Sequence, residues 1–490
     1  MTATLTLAAS VFPGLYRDSV ALLALASKLQ QRENIVRAGV VMATPANLRL
    51  LAESDMLPDG VAAEPDDLLI TVKGGDPGAV EEALAFASTA LSNTDAGSSQ
   101  ASEQRPQTIA EGIDSQPGAT VVTVSVPGTY AAIVAEQALR RGLHVMCFSD
   151  NVSVEDEVRL KALAARRRLL MMGPDCGTAV LDGVPLGFAN VLRPGPVGIV
   201  AASGTGAQEV SCLLDRAGVG NTALVGVGGR DLSAAVGGVM TELALDLLVA
   251  DRSAEVIVVV SKPPAPAVAE RLLARLGKIA ASGTPVVACL LGVDDADEPV
   301  VVRGTLEGAA IEAARLVGVT LAPAVAEPTA GTGPASRVLG LYTGGTLAGE
   351  AKVLLGRADL PAEVIDLGDD QYTAGRPHPM IDPAARAARI VQAAAEPAVG
   401  VVLLDVVLGH GAHPDPAGAV GAAVQEARAA ADRPMAFVAS ICGTAADPQG
   451  FDAQARTLRE AGVLLAGSNA AAARLAIRLA GGADTEGGRP

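Results

Sequence analysis

Two short stretches carry the residue types best suited to handling an anion. Ser203-Gly204-Thr205-Gly206 follows the apolar run Val197–Ala201, and Gly344-Gly345-Thr346 follows a second apolar run that starts at Val338. In each, a Gly-Thr pair is followed four residues later by a glutamate, Glu209 and Glu350. A strand that turns through glycines into a helix leaves the first helical amides without partners. Those amides and the helix dipole attract phosphate or carboxylate. One such turn is common among α/β folds, whereas two in register predict two related α/β units, each aiming a helix start at an anion. The plain alternative is a pair of ordinary tight turns, with Ser203 as a cap.

Other side chains could complete that chemistry. Arg230, in Gly228-Gly229-Arg230-Asp231, could clamp a phosphate or carboxylate through two parallel hydrogen bonds, or simply pair with Asp231. Arg376 and His378 occupy Gly375-Arg376-Pro377-His378-Pro379, with Asp369, Asp370 and Asp382 nearby. The two prolines stiffen this loop, which reads as a substrate loop or as a rigid surface turn. His410 and His413 have the spacing of a metal pair, beside Asp405 and Asp415. They lie on a loop rather than a helix, so no metal is predicted. His413 reads better as an acid–base or anion-contacting group, or as a solvated histidine. Cys176 in Gly173–Thr178 is a nucleophile or part of a close-packed turn, and no neighbouring histidine favours the first. Lys262, ahead of two prolines, reaches an anion or solvent.

These residues need strand ends to hold them. Residues 1–91 read as a small α/β unit, with helices over Ser19–Gln31 and from Asp76 to Ala90 and strands at Ala38–Met42 and Asp67–Val72. It has no Gly-rich dinucleotide loop, and a structural or assembly role is expected. Residues 92–117 are a polar linker. Residues 118–193 alternate strand and helix, so parallel winding is expected, with sites at the turns after Val126 and Met172. Residues 194–322 begin with the first Gly-Thr turn. A second linker, 323–336, leads to residues 337–484, which repeat the plan.

Composition narrows the classes. The chain has 490 residues and a formal charge of −17, a poor match to nucleic acid or anionic membranes. Half its residues are hydrophobic but only 2% are aromatic, so small aliphatic side chains must pack several cores. Five scattered cysteines without a C-x-x-C pair argue for a reducing cytoplasm over a zinc site or disulfide framework. The first residues lack a charged leader, and the apolar runs fall far short of a membrane span.

Several segments together resemble succinyl-CoA synthetase, and more closely the FdrA-type acyl-CoA synthetase proteins. Gly173–Thr178 (GPDCGT) resembles the GPNC segment closing the CoA-binding domain of the synthetase α subunit. Val197–Thr205 resembles its VGIVSRSGT, and Gly226–Asp231 its GIGGD. Residues 337–484 resemble the carboxyl-terminal domain of the β subunit. The combination SGTGAQE, GGRDLS, SKPP, LYTGGT, DLGDD, GRPHPMID and GAHPDP extends the FdrA likeness over nearly the whole chain. The resemblance implies an α/β protein with a Rossmann-like CoA-binding-type domain, two flavodoxin-like synthetase-type domains and a small N-terminal α/β domain. It implies that Ser203–Gly206 and Gly344–Thr346 point at one phosphate. Pro127, Gly128, Thr129, Pro174, Asp175 and Cys176 would form loops of the CoA-type domain, so CoA is compatible but not firmly predicted.

The departures shape the expected activity. Where the synthetases carry a phosphohistidine in GHAGA, this chain has Leu306-Glu307-Gly308-Ala309-Ala310, and no histidine lies between His144 and His378. Nothing resembles an ATP-grasp domain. The resemblance implies a subunit of oxamate carbamoyltransferase in ureide (allantoin) breakdown, with phosphate or carbamoyl phosphate as substrate and two other proteins as partners. A homo-oligomer is compatible with it. Arg230, Arg376, His378 and His413 are the expected catalytic side chains. A succinyl-CoA-synthetase-like ligase subunit and a non-catalytic assembly subunit are the alternatives.

Overall fold

The computed structural model describes residues 5–15, 19–58, 60–96, 106–324, 336–373 and 377–481. The chain falls into two units, residues 1–105 with 374–377, and residues 106–373 with 378–490.

In the first unit, β1 (Thr6–Phe12), α1 (Ser19–Gln30), β2 (Ile35–Met42), α2 (Pro45–Glu53), β3 (Leu68–Gly74) and α3 (Pro77–Ala96) follow in order. The sheet is antiparallel, β1-β3-β2. Central β3 is the most apolar strand, and Leu68, Leu69, Ile70 and Val72 are fully buried. The sequence reading has no strand at β1, because its Ala-Ala-Ser centre lacks the large alternating residues of a half-buried strand.

The second unit opens with α4 (Ile109–Ser115), a helix inside the stretch read as linker. Thr108 caps it by accepting the Glu111 amide. Next come β4 (Val121–Val124), α5 (Gly128–Arg140), β5 (His144–Cys147), α6 (Val154–Arg167) and β6 (Met171–Met172), a parallel β4-β5-β6 sheet. The hairpin β7 (Thr178–Leu181) and β8 (Val184–Gly187) is absent from the sequence reading. It joins the next sheet instead, pairing antiparallel to β10.

That next sheet is built from β9 (Pro194–Ala202), α7 (Gly204–Arg216), β10 (Asn221–Gly226), α8 (Val239–Asp251), β11 (Val256–Ser261), α9 (Pro266–Ala281), β12 (Val286–Leu290), β13 (Val301–Arg303) and α10 (Leu306–Leu316). Its order is β13-β12-β11-β9-β10-β7-β8. The last sheet contains β14 (Arg337–Tyr342), α11 (Gly345–Arg357), β15 (Ala362–Asp366), the short α12 (Asp370–Thr373), α13 (Ala384–Gln392), β16 (Val399–Val407), α14 (Pro416–Ala430), β17 (Ala436–Cys442), α15 (Phe451–Glu460), β18 (Leu464–Ala466) and α16 (Asn469–Leu479). It is wholly parallel, ordered β15-β14-β16-β17-β18. All nine residues of β16 are buried, as a strand covered on both faces requires.

In both sheets the strand order reverses at the strand that feeds a Gly-Thr turn. β9 has β10 on one side and β11 on the other, and β14 has β15 and β16. Ligands of open α/β sheets bind where the order reverses, beyond the strands' carboxyl ends. One hydrophobic core joins the two sheets, with Ala207, Leu214, Ala310, Leu347, Ala351 and Ala473 among its members.

Candidate functional site

The two Gly-Thr turns touch. Ser203 follows β9 in an extended conformation, and its Oγ accepts the Gly206 amide at 3.1 Å, capping α7. The same hydroxyl donates to Thr346 Oγ1 at 2.7 Å, and the Thr346 amide donates to Thr205 Oγ1 at 3.3 Å. The fit is reciprocal. A Cβ on Gly206 would stand 2.9 Å from the Thr346 methyl, and one on Gly344 would stand 3.0 Å from Thr205. Each turn's glycine seats the other's threonine.

The turns differ in what remains open. Beside α11, the buried Asp405 carboxylate accepts the amides of Thr343 at 2.9 Å and Gly344 at 2.7 Å. Arg386, also buried, pairs with Asp405 at 3.0 Å. Burial pushes the Asp405 pKa up, against the pull of Arg386 and the amides. A protein carboxylate therefore already occupies part of that anion site. At α7, Ser203 takes one first-turn amide, leaving those of Gly204 and Thr205 as orphan donors. A small cleft there is lined by Ser203, Gly204, Asp175, Cys176, Gly228 and Gly229. The α7 turn is the open one.

The loops read as CoA-type line up at the ends of β4, β5 and β6. Ser149 Oγ binds both the amide and the carbonyl of Val126, just before Pro127, and Ser149 O accepts the Asp175 amide at 3.0 Å. Gly128 and Thr129 start α5, and Gly128 packs on the backbone carbonyls of Asp150 and Asn151, where a side chain would not fit. Pro174 follows Gly173 through a cis peptide. Cys176 is buried, and desolvation pushes its thiol up to about 12. Such a thiol is an inert part of a packed turn.

Arg230 is already engaged. Its Nε donates to Glu157 Oε2 and its terminal nitrogen to Val152 O, both at 2.8 Å. The Arg230–Asp231 surface pair weighed from sequence does not form, because Asp231 is fully buried and bound by Lys161 and Thr241. Lys161 Nζ also donates to Glu157 and to Val227 O, each at 2.8 Å, and is itself fully buried. This network clamps the Gly228–Asp231 loop onto α6. Sequence reasoning missed Lys161, since an i,i+4 Glu-Lys pair usually marks a solvent face.

Arg376 lies outside the described residues. His378 is half-buried, its ring centroid 5.7 Å from that of Phe188, and desolvation lowers its pKa to about 4. His413 lies on a neighbouring loop, its amide donating to Met380 O at 2.7 Å and its Nδ1 accepting the Asp415 amide. His410 is exposed, and among the described residues no cluster of side chains could hold a metal ion.

Behind the turns, Glu209 and Glu350 converge on Asn469. Glu209 Oε1 accepts the Asn469 amide at 2.9 Å, and Glu350 Oε2 accepts Asn469 Nδ2 at 2.7 Å. Glu307, the residue that the sequence reading set against the synthetases' phosphohistidine, accepts Ser468 Oγ and the Ala324 amide and pairs with Arg474. Desolvation raises Glu350 to about 7 and raises Glu209 as well. The folded protein then holds a proton that the unfolded chain releases above about pH 4.5. This contribution is complete below that pH and is lost as pH rises through 7. It amounts to roughly 3 kcal/mol for Glu350. Glu350→Gln should flatten the slope of stability against pH between 5 and 8 in urea titrations, and an unchanged slope would contradict the assignment.

Relatives bear on these features. The CoA-ligase family profile matches residues 341–479, and that of the AllF heavy metal-associated domain matches residues 4–107. YahF of Escherichia coli strain K12 is 39% identical over 93% of this chain and 95% of its own length. The chain belongs to the FdrA-type, succinyl-CoA-synthetase-like family. A family member of CoA-ligase type is expected to share segments with the synthetases. The succinate–CoA ligase [ADP-forming] α subunit of Staphylococcus aureus strain Mu50 is 34% identical over 23% of this chain and 38% of that subunit. Among solved structures, acetyl-coenzyme A synthetase 1 of Ca. Korarchaeum cryptofilum, in complex with phosphate and ADP, covers 74% of this chain and 83% of its own, with 13% identity and a TM-score of 0.33. Among the described residues, no helix is long and apolar enough to cross a membrane. Residues 1–105 contain neither cysteine nor histidine.

Proposed function

We propose that this chain is the FdrA-type subunit of a carbamoyl or acyl-phosphate transferase, moving a carbamoyl group between oxamate and phosphate in cytoplasmic ureide (allantoin) breakdown. Two other protein subunits would complete the complex. One observation carries the reading. Both Gly-Thr helix starts are kept, in contact through Ser203 and Thr346, with the α7 start open, while position 307 holds a glutamate tied to Ser468 and Arg474. A carboxylate so bound is no phosphoryl carrier, so phosphate enters as a substrate instead of as an enzyme-bound relay. The Gly204 and Thr205 amides suit the phosphoryl end of carbamoyl phosphate, where fixed donors stabilise charge as the anhydride bond breaks. The AllF match over residues 4–107 supports the link to allantoin.

The test is phosphate release from carbamoyl phosphate with and without oxamate, using the chain alone and with the proteins encoded beside it. Release that depends on oxamate is expected once the partners are present. No release in any combination would refute the transferase reading. The CoA-ligase match over residues 341–479 favours a second reading, an acid-thiol ligase subunit with CoA held by the loops around Pro127 and Pro174. That reading requires saturable CoA binding in calorimetry.

A further inference from the structure

Three side chains from three separate segments converge at the start of α11. Asp366 is the last residue of β15, Lys262 follows β11, and His378 sits in the proline-stiffened loop. A Cβ on Gly345 would stand 2.5 Å from Asp366 Oδ2 and 3.3 Å from Lys262 Nζ. A Cβ on Gly368 would stand 2.6 Å from His378 Nε2 and 3.2 Å from Asp366 Oδ1. The two glycines thus let a cation, a carboxylate and an imidazole pack against bare backbone at one place. The Gly368 amide donates to Asp366 Oδ1 at 3.0 Å, which orients the carboxyl group. His378 Nδ1 accepts the Met380 amide, so the neutral ring carries its proton on Nε2, the atom packed against Gly368.

We propose that this cluster holds the amide acceptor of the transfer, with Lys262 binding the carboxylate of a small α-oxo-amide acid such as oxamate and Asp366 accepting the proton of its amide nitrogen. The inference rests on the transferase reading. The amide nitrogen forms a bond to the carbamoyl carbon, and the bond from that carbon to the phosphate oxygen breaks. Phosphate leaves with the electron pair. The proton shed by the nitrogen passes through Asp366 to the departing phosphate, so the step needs no other reactant. Lys262, Asp369, Asp405 and His378 are the charged or titratable groups around Asp366. Burial, with Asp405 and Asp369, outweighs the Gly368 amide and Lys262 and raises Asp366 to about 6, near the range where a carboxylate exchanges protons efficiently at neutral pH. His378 stays neutral there and offers its Nε2 proton to the acceptor's carbonyl oxygen.

Calorimetric titration of oxamate into the full chain separates the inference from the reading beneath it. Wild type should bind oxamate, and Lys262→Met should weaken binding at least tenfold. Lys262→Gln, at the same exposed position, is the second variant should the first fold poorly. In the complex, Lys262→Met should raise KM for oxamate at least tenfold while KM for carbamoyl phosphate stays within twofold. Asp366→Asn should lower kcat at least a hundredfold and abolish its rise through about pH 6. Wild type that ignores oxamate, or Lys262 variants that bind it as tightly, would overturn the acceptor site. An Asp366→Asn enzyme that keeps the pH limb would overturn the proton role. If wild type binds oxamate through Lys262 and yet no complex releases phosphate, the transferase reading fails and the carboxylate site stands.

Discussion

Lys161→Met should lower stability by about 3–5 kcal/mol, read as a shift in the denaturation midpoint of the transition that includes the β4–β6 sheet. The ammonium has three partners at 2.8 Å, Glu157, Asp231 and Val227 O, all deep in the interior. Removing it leaves Asp231 buried with no counter-cation, held only by the Thr241 hydroxyl and the Met240 and Thr241 amides, and leaves Glu157 with Arg230 alone. Replacing the whole network is a different experiment. Lys161→Met combined with Glu157→Gln and Asp231→Asn should recover much of the loss, because neutral groups need no counter-charge. A single variant within about 1 kcal/mol of wild type would show that water reaches the site. The functional consequence follows from place. Asp231 ends the Gly228–Asp231 loop, so the variant should also loosen the cleft beside Ser203.

Gly206→Val is expected to be still more disruptive, while Gly204→Ala should fold normally. At position 206 the new Cβ would first meet Ser203 Oγ of the same turn, and would stand 2.9 Å from the Thr346 methyl and 3.1 Å from a Val260 methyl, at the point where α7 and α11 meet. Overpacking usually costs about 1–3 kcal/mol, and here neither helix can retreat without breaking the Ser203–Thr346 hydrogen bond. A loss of at least about 3 kcal/mol, or failure to fold, is the expected outcome. At position 204 a Cβ would meet only Thr178 Oγ1, at 3.4 Å, an ordinary contact. The two glycines are two residues apart in one turn, so equal effects in thermal melts would refute the close packing around Gly206.

How much of this was legible in the sequence depends on distance along the chain. The strand–turn–helix at residues 197–214 was readable because its signals are local: an apolar run, a Gly-rich turn and a cap at Ser203. The repeat at Gly344 was readable for the same reason. The contact between them was not, since Ser203 and Thr346 lie 143 residues apart. Asp405 and Arg386 show a second limit. A buried acid inside a nine-residue apolar strand gives no hint that it will cap a helix from another strand, and Arg386 looks like any surface arginine of an Ala-rich helix. Asp366 shows a third. The sequence drew attention to Asp369, Asp370 and Asp382, which sit in an obviously polar loop. The carboxylate that reaches α11 hides as the last residue of a strand. Among the expected catalytic residues, His378 lies in that cluster and His413 on an adjoining loop, whereas Arg230 serves Glu157.

Asn469 imposes an order of events on synthesis. It contacts Glu209 across 260 residues and Glu350 across 119. On a ribosome adding roughly 5–20 residues per second, Glu209 waits about 13–50 s for that partner to be made. Through that interval the first Gly-Thr helix can form on its own sheet, but its glutamate has no seat. Growing chains should therefore carry an unfinished junction with exposed apolar helix faces, a natural client surface for a holding chaperone, until α16 emerges and closes it.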